Sequence, residues 1–246
     1  MQPSPVIAYR SPRYQIPLAA GAVAAFLAAA TGTALAADGP EATGPWYVRA
    51  AFDGSDLKKP DQTIANAPTP GSTLQVVNAV DFGWGGAVAL GRQIGALRLE
   101  AEVGKTANKS KAYSAITPIS ATLPQDGKND VTRYMANVYA DLPLLTGPWK
   151  IYVGAGVGRA RLHVTTFAAP ARAPTAPPSQ LIDFRDQTTA WQAMGGLTYA
   201  VGPHLRLNAQ YRWLDAGTAE GHDSRGEKAT RDIAGHNFEA GLIFNF

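Results

Sequence analysis

The sequence predicts an all-β protein, an eight-stranded antiparallel up-and-down transmembrane β-barrel. Three observations predict this fold class. Eight segments alternate apolar and polar residues at every second position, as strands with one apolar face do. The connections between them alternate strictly between long and short. The last segment, 237–246, ends on an aromatic residue, and its apolar side needs lipid and a partner strand to cover it.

Residues 1–36 are predicted to be a cleaved secretory signal peptide. A region containing Arg10 and Arg13 precedes an Ala-rich, uncharged stretch, 18–35, which runs into the small-x-small sequence Ala34-Leu35-Ala36. The alternative is an anchoring helix, because the stretch is almost long enough to span a bilayer. We expect cleavage after Ala36, which leaves residues 37–246 as an outer-membrane β-barrel domain.

The composition argues against several other classes of protein. Removing Arg10 and Arg13 with the leader lowers the formal net charge from +3 to +1, and no basic stripe with interleaved aromatic residues is present, so nucleic acid is not an expected partner. The chain has no cysteine, and its four histidines are scattered. We therefore predict no disulfide, no metal site and no cofactor.

The eight alternating segments have about the length of a tilted membrane strand, which needs roughly 9–11 residues. Their even number would place both chain ends on one side of the membrane, the periplasmic side. The predicted strands are 46–53, 80–90, 97–104, 133–142, 149–158, 191–200, 205–213 and 237–246.

The connections predict which side of the barrel faces outward. Three are short and rich in Gly and Pro, as tight turns are: 91–96, 143–148 and 202–203. Four are long, and we expect them to be structureless outer loops: 54–79, 105–130, 164–188 and 215–235. The third long loop contains the Pro- and Ala-rich stretch 168–178, which is predicted to be extended and mobile.

Aromatic residues near the segment ends distinguish a membrane barrel from a soluble one. A soluble sandwich or a lipocalin-like barrel would turn its apolar side inward and show charge outside. Amphipathic rings at both ends of the apolar side are instead typical of a membrane–water interface. The predicted aromatic girdle consists of Trp46, Trp84, Trp149, Trp191, Tyr199 and Trp213.

Four segments, taken in order, resemble a known family. They are YVGAGVG at 152–158, AWQAMGGLTY at 190–199, LRLNAQYRWLD at 205–215 and NFEAGLIFNF at 237–246. They are similar to the OmpA-like and opacity-type eight-stranded outer-membrane proteins of Gram-negative bacteria, which include adhesins, structural proteins and members of unknown role. The resemblance implies that the outer-membrane assembly machinery reads Phe246 as an assembly signal. Some relatives carry a peptidoglycan-binding domain after the barrel; we expect none after Phe246 and therefore do not expect tethering to the cell wall.

The inward positions of the predicted strands carry charges of both signs. An eight-stranded barrel has interior room only for side chains or one small ligand, and buried charges must pair. One interpretation is a salt-bridge plug that closes a rigid barrel; the other is a narrow ion path lined by charge. The set is Arg49, Arg98, Glu100, Glu102, Arg133, Asp141, Arg206, Arg212 and Glu239. We expect inward glycines to leave room for these long side chains, namely Gly83, Gly85, Gly154, Gly156, Gly158 and Gly196.

Three motifs suggest enzymatic or nucleotide chemistry, and none of them predicts it strongly. The Gly154-x-Gly156-x-Gly158 pattern lacks the strand–turn–helix context of a nucleotide loop. The consecutive residues His222, Asp223 and Ser224 cannot form a catalytic triad among themselves. A lipid hydrolase or transferase would need a serine and an acid near His163 or His236. We therefore predict that the protein is not an enzyme.

The sequence thus predicts a monomeric outer-membrane protein with a structural or surface-interaction, adhesin-like role. Its loops could contact an extracellular ligand, and its barrel would contact outer-membrane lipids and lipopolysaccharide. The alternative function is a narrow porin for ions or small solutes. Lysines in or beside the predicted loops are either ordinary solvated residues or contacts for lipopolysaccharide phosphates: Lys58, Lys59, Lys105, Lys109 and Lys111.

Overall fold

Ten strand segments close into one antiparallel ring in the computed structural model, which describes residues 44–57, 61–65, 71, 73–117, 121–168, 179–222, 226 and 228–246. The segments are β1 (Trp46–Leu57), β2 (Asp61–Ala65), β3 (Thr73–Val80), β4 (Gly83–Ile94), β5 (Leu97–Thr117), β6 (Ala121–Leu142), β7 (Trp149–Ala168), β8 (Ser179–Ala200), β9 (Leu205–His222) and β10 (Lys228–Asn245). The predicted leader, 1–36, and residues 169–178 of the predicted mobile stretch lie outside the described residues.

The ten segments build eight barrel strands. Segment β2 continues β1, because both run antiparallel to β10 at successive positions. Segment β3 leads into β4, because both run antiparallel to β5. The ring then runs β1–β4–β5–β6–β7–β8–β9–β10, and the β1–β10 pairing from Tyr47↔Asn245 to Leu57↔Gly235 closes it. The predicted eight-stranded antiparallel barrel is confirmed.

The three predicted tight turns lie at one end of the ring. They connect Ile94 to Leu97, Leu142 to Trp149 and Ala200 to Leu205. In the first of them Gly95 has a φ of 58°, in the left-handed region that glycine adopts without steric cost. Both ends of the described barrel meet at the same end of the ring, because Phe246 N donates a hydrogen bond to Trp46 O at 2.9 Å.

The prediction of four long structureless loops is wrong. Most of their residues belong to strands that continue away from the turn end, so that β5, β6, β7 and β8 each have 20–22 residues. The physical reason is that pairing satisfies backbone hydrogen bonds in water as well as in lipid. Away from the lipid the outward side chains no longer need to be apolar, so the alternation that marks a membrane strand disappears.

The predicted strand 80–90 is also interrupted. Val80 ends β3 and Gly83 begins β4, while Asp81 N still donates to Lys109 O of β5 at 2.8 Å. The Phe82 ring packs edge-on against Trp84 on the outer surface, with ring centroids 5.0 Å apart. The break therefore directs the Phe82 side chain toward the outer aromatic residues, while the backbone stays hydrogen-bonded to β5.

The two surfaces of the barrel wall differ in polarity as the alternation predicts. Large apolar side chains such as Val48, Phe52, Val88 and Leu242 are 45–60% exposed on the outside. Charged and amide side chains between them are buried on the inside. Within the described residues, no helix is long and apolar enough to cross a membrane.

Candidate functional site in the barrel interior

All nine charged residues predicted to point inward lie in the barrel interior. Eight are at most 6% exposed, and the side chain of the ninth, Asp141, is 10% exposed. Side chains alternate between the two faces along each strand, so once the inward face of a strand is identified, all its inward residues are known. The structure separates them into a central network and a smaller group near the turn end.

Glu102 of β5 is the centre of the network. Its carboxylate accepts hydrogen bonds from Arg212 Nη1 at 2.7 Å, Arg133 Nε at 2.9 Å and Arg49 Nη2 at 2.7 Å. These arginines belong to β9, β6 and β1, and each is at most 2% exposed. One carboxylate therefore joins three other strands across the interior.

Glu239 of β10 forms the second junction of the network. Its carboxylate lies 2.7 Å from Arg212 Nη2, 3.1 Å from Arg49 Nη1 and 3.4 Å from Arg133 Nη2. Gln210 Nε2 donates to the same carboxylate at 3.0 Å. The inward carboxylate of the last strand thus faces three guanidinium groups.

Glu100 is the third carboxylate of the network. It accepts from Arg49 Nη2 at 2.9 Å and from the hydroxyls of Tyr47 and Tyr139, each at 3.2 Å. Asn137 Nδ2 bridges Glu100 and Glu102 at 3.3 and 3.1 Å. Neutral donors therefore occupy oxygen lone pairs that the arginines leave open, as a buried ion cluster requires.

Asp53 is the fourth carboxylate of the network and is not among the nine predicted interior charges. Asp53 Oδ2 lies 2.6 Å from Arg133 Nη2 and accepts a hydrogen bond from Thr106 Oγ1 at 3.3 Å. It is four residues from Arg49 on the same inward side of β1, so the strand period could have identified it. With Asp53 the network contains three arginines and four carboxylates.

Arg98, Asp141 and Arg206 are not part of the central network. Arg98 Nε donates to Asp141 Oδ1 at 2.9 Å, and its guanidinium lies 4.5 Å from the ring centre of Tyr152 and 4.9 Å from that of Tyr139. Arg206 Nη1 donates to Gln93 Oε1 at 3.4 Å. This group closes the turn end with rings as well as charges, a role for inward tyrosines that the sequence analysis did not anticipate.

The interior at the end away from the turns combines apolar side chains with a few buried polar ones, among them Asn108, Asn129 and Arg231. A cluster of buried residues from β6, β7, β8, β9 and β10 lies there, formed by Val131, Met135, Ala160, Leu162, Val164, Ala190, Leu214, Ala216, Ala219 and Ile233. An adjoining cavity of about 10 Å³, lined in part by Leu57, Leu162 and Ile233, has room for about one water molecule. This cluster was not predicted, because most of its residues fall in the predicted outer loops or at the ends of predicted strands.

The prediction that the inward glycines make room for arginine and glutamate side chains was wrong, because other side chains lie over them. A Cβ added at Gly154 would meet the Tyr139 ring, one at Gly156 would meet Asn137, and one at Gly158 would meet Met135. Gly83 makes room for Asn108, Gly85 for Asp53 and Gly196 for Tyr152. The facing residues in register on neighbouring strands decide this, and among the described glycines it is Gly104 that makes room for an arginine, Arg133.

Two consecutive glycines of β8 provide a test of this packing. A Cβ at Gly196 would meet the carbonyl oxygen of Ala209 most closely and fall 2.6 Å from Tyr152 Oη, whereas the nearest atom to a Cβ at Gly195, on the outside, is 4.0 Å away. We expect Gly196→Ala to lower the free energy of unfolding by about 1–3 kcal/mol, the usual cost of overpacking. Gly195→Ala should leave it unchanged or raise it slightly. Urea unfolding in lipid vesicles measures both, and equal effects would contradict the packing argument.

The six residues of the predicted girdle lie on the outer surface at two levels. Trp46, Trp149 and Tyr199 are near the turn end, where the Trp149 and Tyr199 rings pack 4.6 Å apart. Trp84 and Trp191 form the second level, eight residues farther from the turn end along their strands. In tilted strands eight residues correspond to a height of roughly 20 Å. Trp213 lies beside His236, with ring centroids 4.5 Å apart. Phe246 is exposed on the same outer surface.

The motifs that suggested other chemistry have ordinary positions. Gly154, Gly156 and Gly158 lie within β7, which is paired on both sides. Ser224 and Asp223 lie outside the described residues. His163 Nε2 lies 3.4 Å from Thr165 Oγ1, and His236 Nδ1 lies 2.6 Å from Tyr211 Oη. The two histidines belong to β7 and β10, so β8 and β9 lie between them.

Comparison with known proteins agrees with this architecture. A similar relative is an uncharacterized protein of Brucella abortus (strain 2308), 34% identical over 106 residues, which are 41% of this chain and 36% of the relative. The chain thus matches about a third of the length of the curated relatives. The crystal structure of the outer membrane protein OprG from Pseudomonas aeruginosa is similar with a TM-score of 0.55 and 13% identity, over 86% of this chain and 99% of that one.

A second solved structure has the same kind of fold. The outer membrane protease OmpT from Escherichia coli aligns with a TM-score of 0.50 and 8% identity, over 81% of this chain and 97% of that one. At such identities both likenesses concern the fold alone. The family profile described as "Outer membrane protein beta-barrel domain" matches residues 22–246, most of the chain. With its closed ring, apolar exterior and charged interior, the chain belongs to this family of outer-membrane β-barrel proteins.

Proposed function

We propose that this protein is a structural and surface-interaction barrel whose interior is closed by its own side chains. The observation that carries the proposal is the Glu102 junction, where one carboxylate holds arginines from three other strands at 2.7–2.9 Å. Opposite charges at this distance in a buried cluster stabilise each other only while they stay paired. The network therefore opposes the separation of charges that passage of a solute would require.

The layers on either side of the network support the same function. Arg98, Tyr139 and Tyr152 pack together toward the turn end, and the apolar cluster around Leu162 and Ile233 lies at the other end, beside the buried Arg231. The apolar side chains of this cluster oppose the passage of ions, since they offer no groups to replace the water bound to an ion. The strand extensions and the connections at their ends are then the part of the protein that can contact an extracellular ligand.

We also propose that the protein is a monomer and is not an enzyme. The two histidines that could serve a lipid hydrolase, His163 and His236, lie on β7 and β10, with two strands between them. Their contacts with Thr165 and Tyr211 support structural positions on the barrel exterior. Assembly in the outer membrane would use Phe246 as the signal, on an outer surface beside Trp46.

Conductance measurements test the closed interior. We expect the folded protein to give no steady conductance in planar bilayers and to migrate as a compact species in SDS until boiled. The triple variant Arg49→Ala/Glu102→Ala/Arg212→Ala removes both charge signs from the centre, so it should conduct more than the native protein. The outward variant Val48→Ala is the matched control and should stay closed.

The alternative function as a narrow porin predicts the opposite result. A steady, sizeable pore formed by the native protein would overturn the proposal. Liposome swelling provides the second measurement, and vesicles with native protein should swell no faster than empty vesicles. If ions pass, Glu239→Gln should change their selectivity, because that carboxylate lies in the centre of the network.

A further inference from the structure

We propose that one side of the barrel exterior binds the phosphate groups of a phosphorylated lipid in the outer leaflet, of which lipopolysaccharide is the representative. This surface is separate from the interior network, so the proposal does not depend on whether the barrel conducts. We call it the basic surface. It is formed by six exposed cations on β5–β8: Lys105, Lys109, Lys128, Arg159, Arg161 and Arg185.

The basic surface begins where the apolar band of the barrel ends. On β7, Arg159 is ten residues beyond Trp149, which lies near the turn end. Ten residues rise roughly 33 Å along a strand and roughly 25 Å along the normal of a tilted barrel, about the height of the apolar band. On β8, Arg185 lies six residues beyond Trp191 of the upper aromatic level. The cations therefore lie at the height of lipid head groups.

The pairing register places these cations side by side. Lys105 pairs with Thr132, which pairs with Arg161, so the two cations stand two strands or roughly 10 Å apart. Arg159 and Arg161 project from the same side of β7, roughly 7 Å apart. One row farther out, Lys109 pairs directly with Lys128. Such spacings suit several phosphates on one lipid rather than a single small anion.

Among the side chains that the structure describes, Asp130 is the acid that contacts these cations. Asp130 lies 3.0 Å from Lys128 Nζ and 3.4 Å from Lys105 Nζ, and both lysine side chains remain about 60% exposed. In the described part of the chain, Arg159, Arg161 and Arg185 make no ion pair. An unpaired guanidinium presents a planar set of donors that matches phosphate oxygens.

Among the described residues, the opposite side of the exterior is mainly acidic. Exposed or half-exposed acids on β1, β9 and β10 lie beyond the aromatic level there, and the nearby Lys228 is already paired with one of them at 2.8 Å. These acids are Asp56, Asp215, Glu220 and Asp232. Within the described residues the unpaired exposed cations beyond the aromatic level gather on one side, which is not a general property of solvated strand ends. It indicates an anionic occupant for β5–β8, and at this height in an outer membrane that occupant is a lipid head group.

Titration with fluorescent lipopolysaccharide tests the proposal. The full chain, folded in neutral detergent micelles, is titrated at low salt and the Kd is measured. Each cation near an anionic membrane surface strengthens association about fivefold, so Arg159→Gln/Arg161→Gln/Arg185→Gln should weaken it on the order of a hundredfold. The triple Arg→Lys variant should lose much less, because it keeps the charges.

The control removes cations elsewhere on the exterior. The double variant Arg92→Gln/Lys228→Gln neutralises one residue near the turn end and one on the acidic side, and its Kd should stay within about twofold of the native value. Enzymatically dephosphorylated lipopolysaccharide should bind as weakly as the triple Gln variant binds the native lipid. Heat-dependent mobility in SDS gels confirms that each variant is folded.

Three results would overturn the proposal. They are an unchanged Kd for the triple Gln variant, equal binding of phosphorylated and dephosphorylated lipid, and equally effective competition by inorganic phosphate at the same phosphate concentration. The last result would show that the surface binds free anions rather than a lipid. A Kd that weakens as salt rises supports the charge-based mechanism.

Discussion

Replacing Glu102 by glutamine should lower the free energy of unfolding by about 3–5 kcal/mol, the cost of breaking a buried ion pair from one side. The glutamine keeps the shape of the side chain but removes the charge that Arg49, Arg133 and Arg212 share. The NH₂ group of the glutamine would also point N–H donors at the N–H donors of the guanidinium groups, which cannot accept them. The remaining carboxylates, Glu100, Glu239 and Asp53, already have partners and cannot replace it fully.

The measurement is urea unfolding in lipid vesicles, followed by tryptophan fluorescence. Glu220→Gln is the matched control, because Glu220 is also a β-strand glutamate in an ion pair but its side chain is 60% exposed. Exposed pairs contribute about 0–1 kcal/mol, so the control should unfold almost like the native protein. A change below about 1 kcal/mol for Glu102→Gln would show that the three arginines are stabilised without it.

Replacing Arg231 by methionine should have the opposite sign and raise the free energy of unfolding by about 1–4 kcal/mol, as apolar replacements of costly buried charges can. Arg231 is 3% exposed, beyond the membrane-spanning part of β10, and lines the small cavity beside Ile233. Burial lowers the pKa of its guanidinium to about 10, so the group is still charged at neutral pH. Within the described residues no carboxylate pairs with it.

The comparison that isolates this effect is Arg212→Met, measured by the same urea unfolding. Arg212 is equally inaccessible but lies 2.7 Å from both Glu102 and Glu239, so its loss should destabilise the barrel by about 3–5 kcal/mol. Methionine has a similar volume at both positions and fills irregular space well. Destabilisation by Arg231→Met as large as that by Arg212→Met would show that Arg231 has a stabilising partner.

The fold was predictable because lipid imposes a simple rule on each strand. Every second residue must be apolar where it contacts lipid, so Val48, Val88 and Leu242 mark the outward side of their strands without knowledge of any other strand. The same rule assigned Glu102, Arg133 and Arg212 to the interior. It failed beyond the membrane, because there the outward positions carry residues such as Arg161 and Lys109, and polar alternation looks like a loop.

The sequence by itself determined the ring of eight strands, the end at which the turns lie and the residues that point inward, because each follows from local periodicity. Only the tertiary structure decided that Glu102 lies between three arginines, that Asp53 belongs with them and that Tyr152 occupies the space above Gly196. Those contacts depend on strand register and on the tilt of the closed barrel, which bring together residues far apart in the chain. The same register decided that scattered cations of β5–β8 form one continuous basic surface.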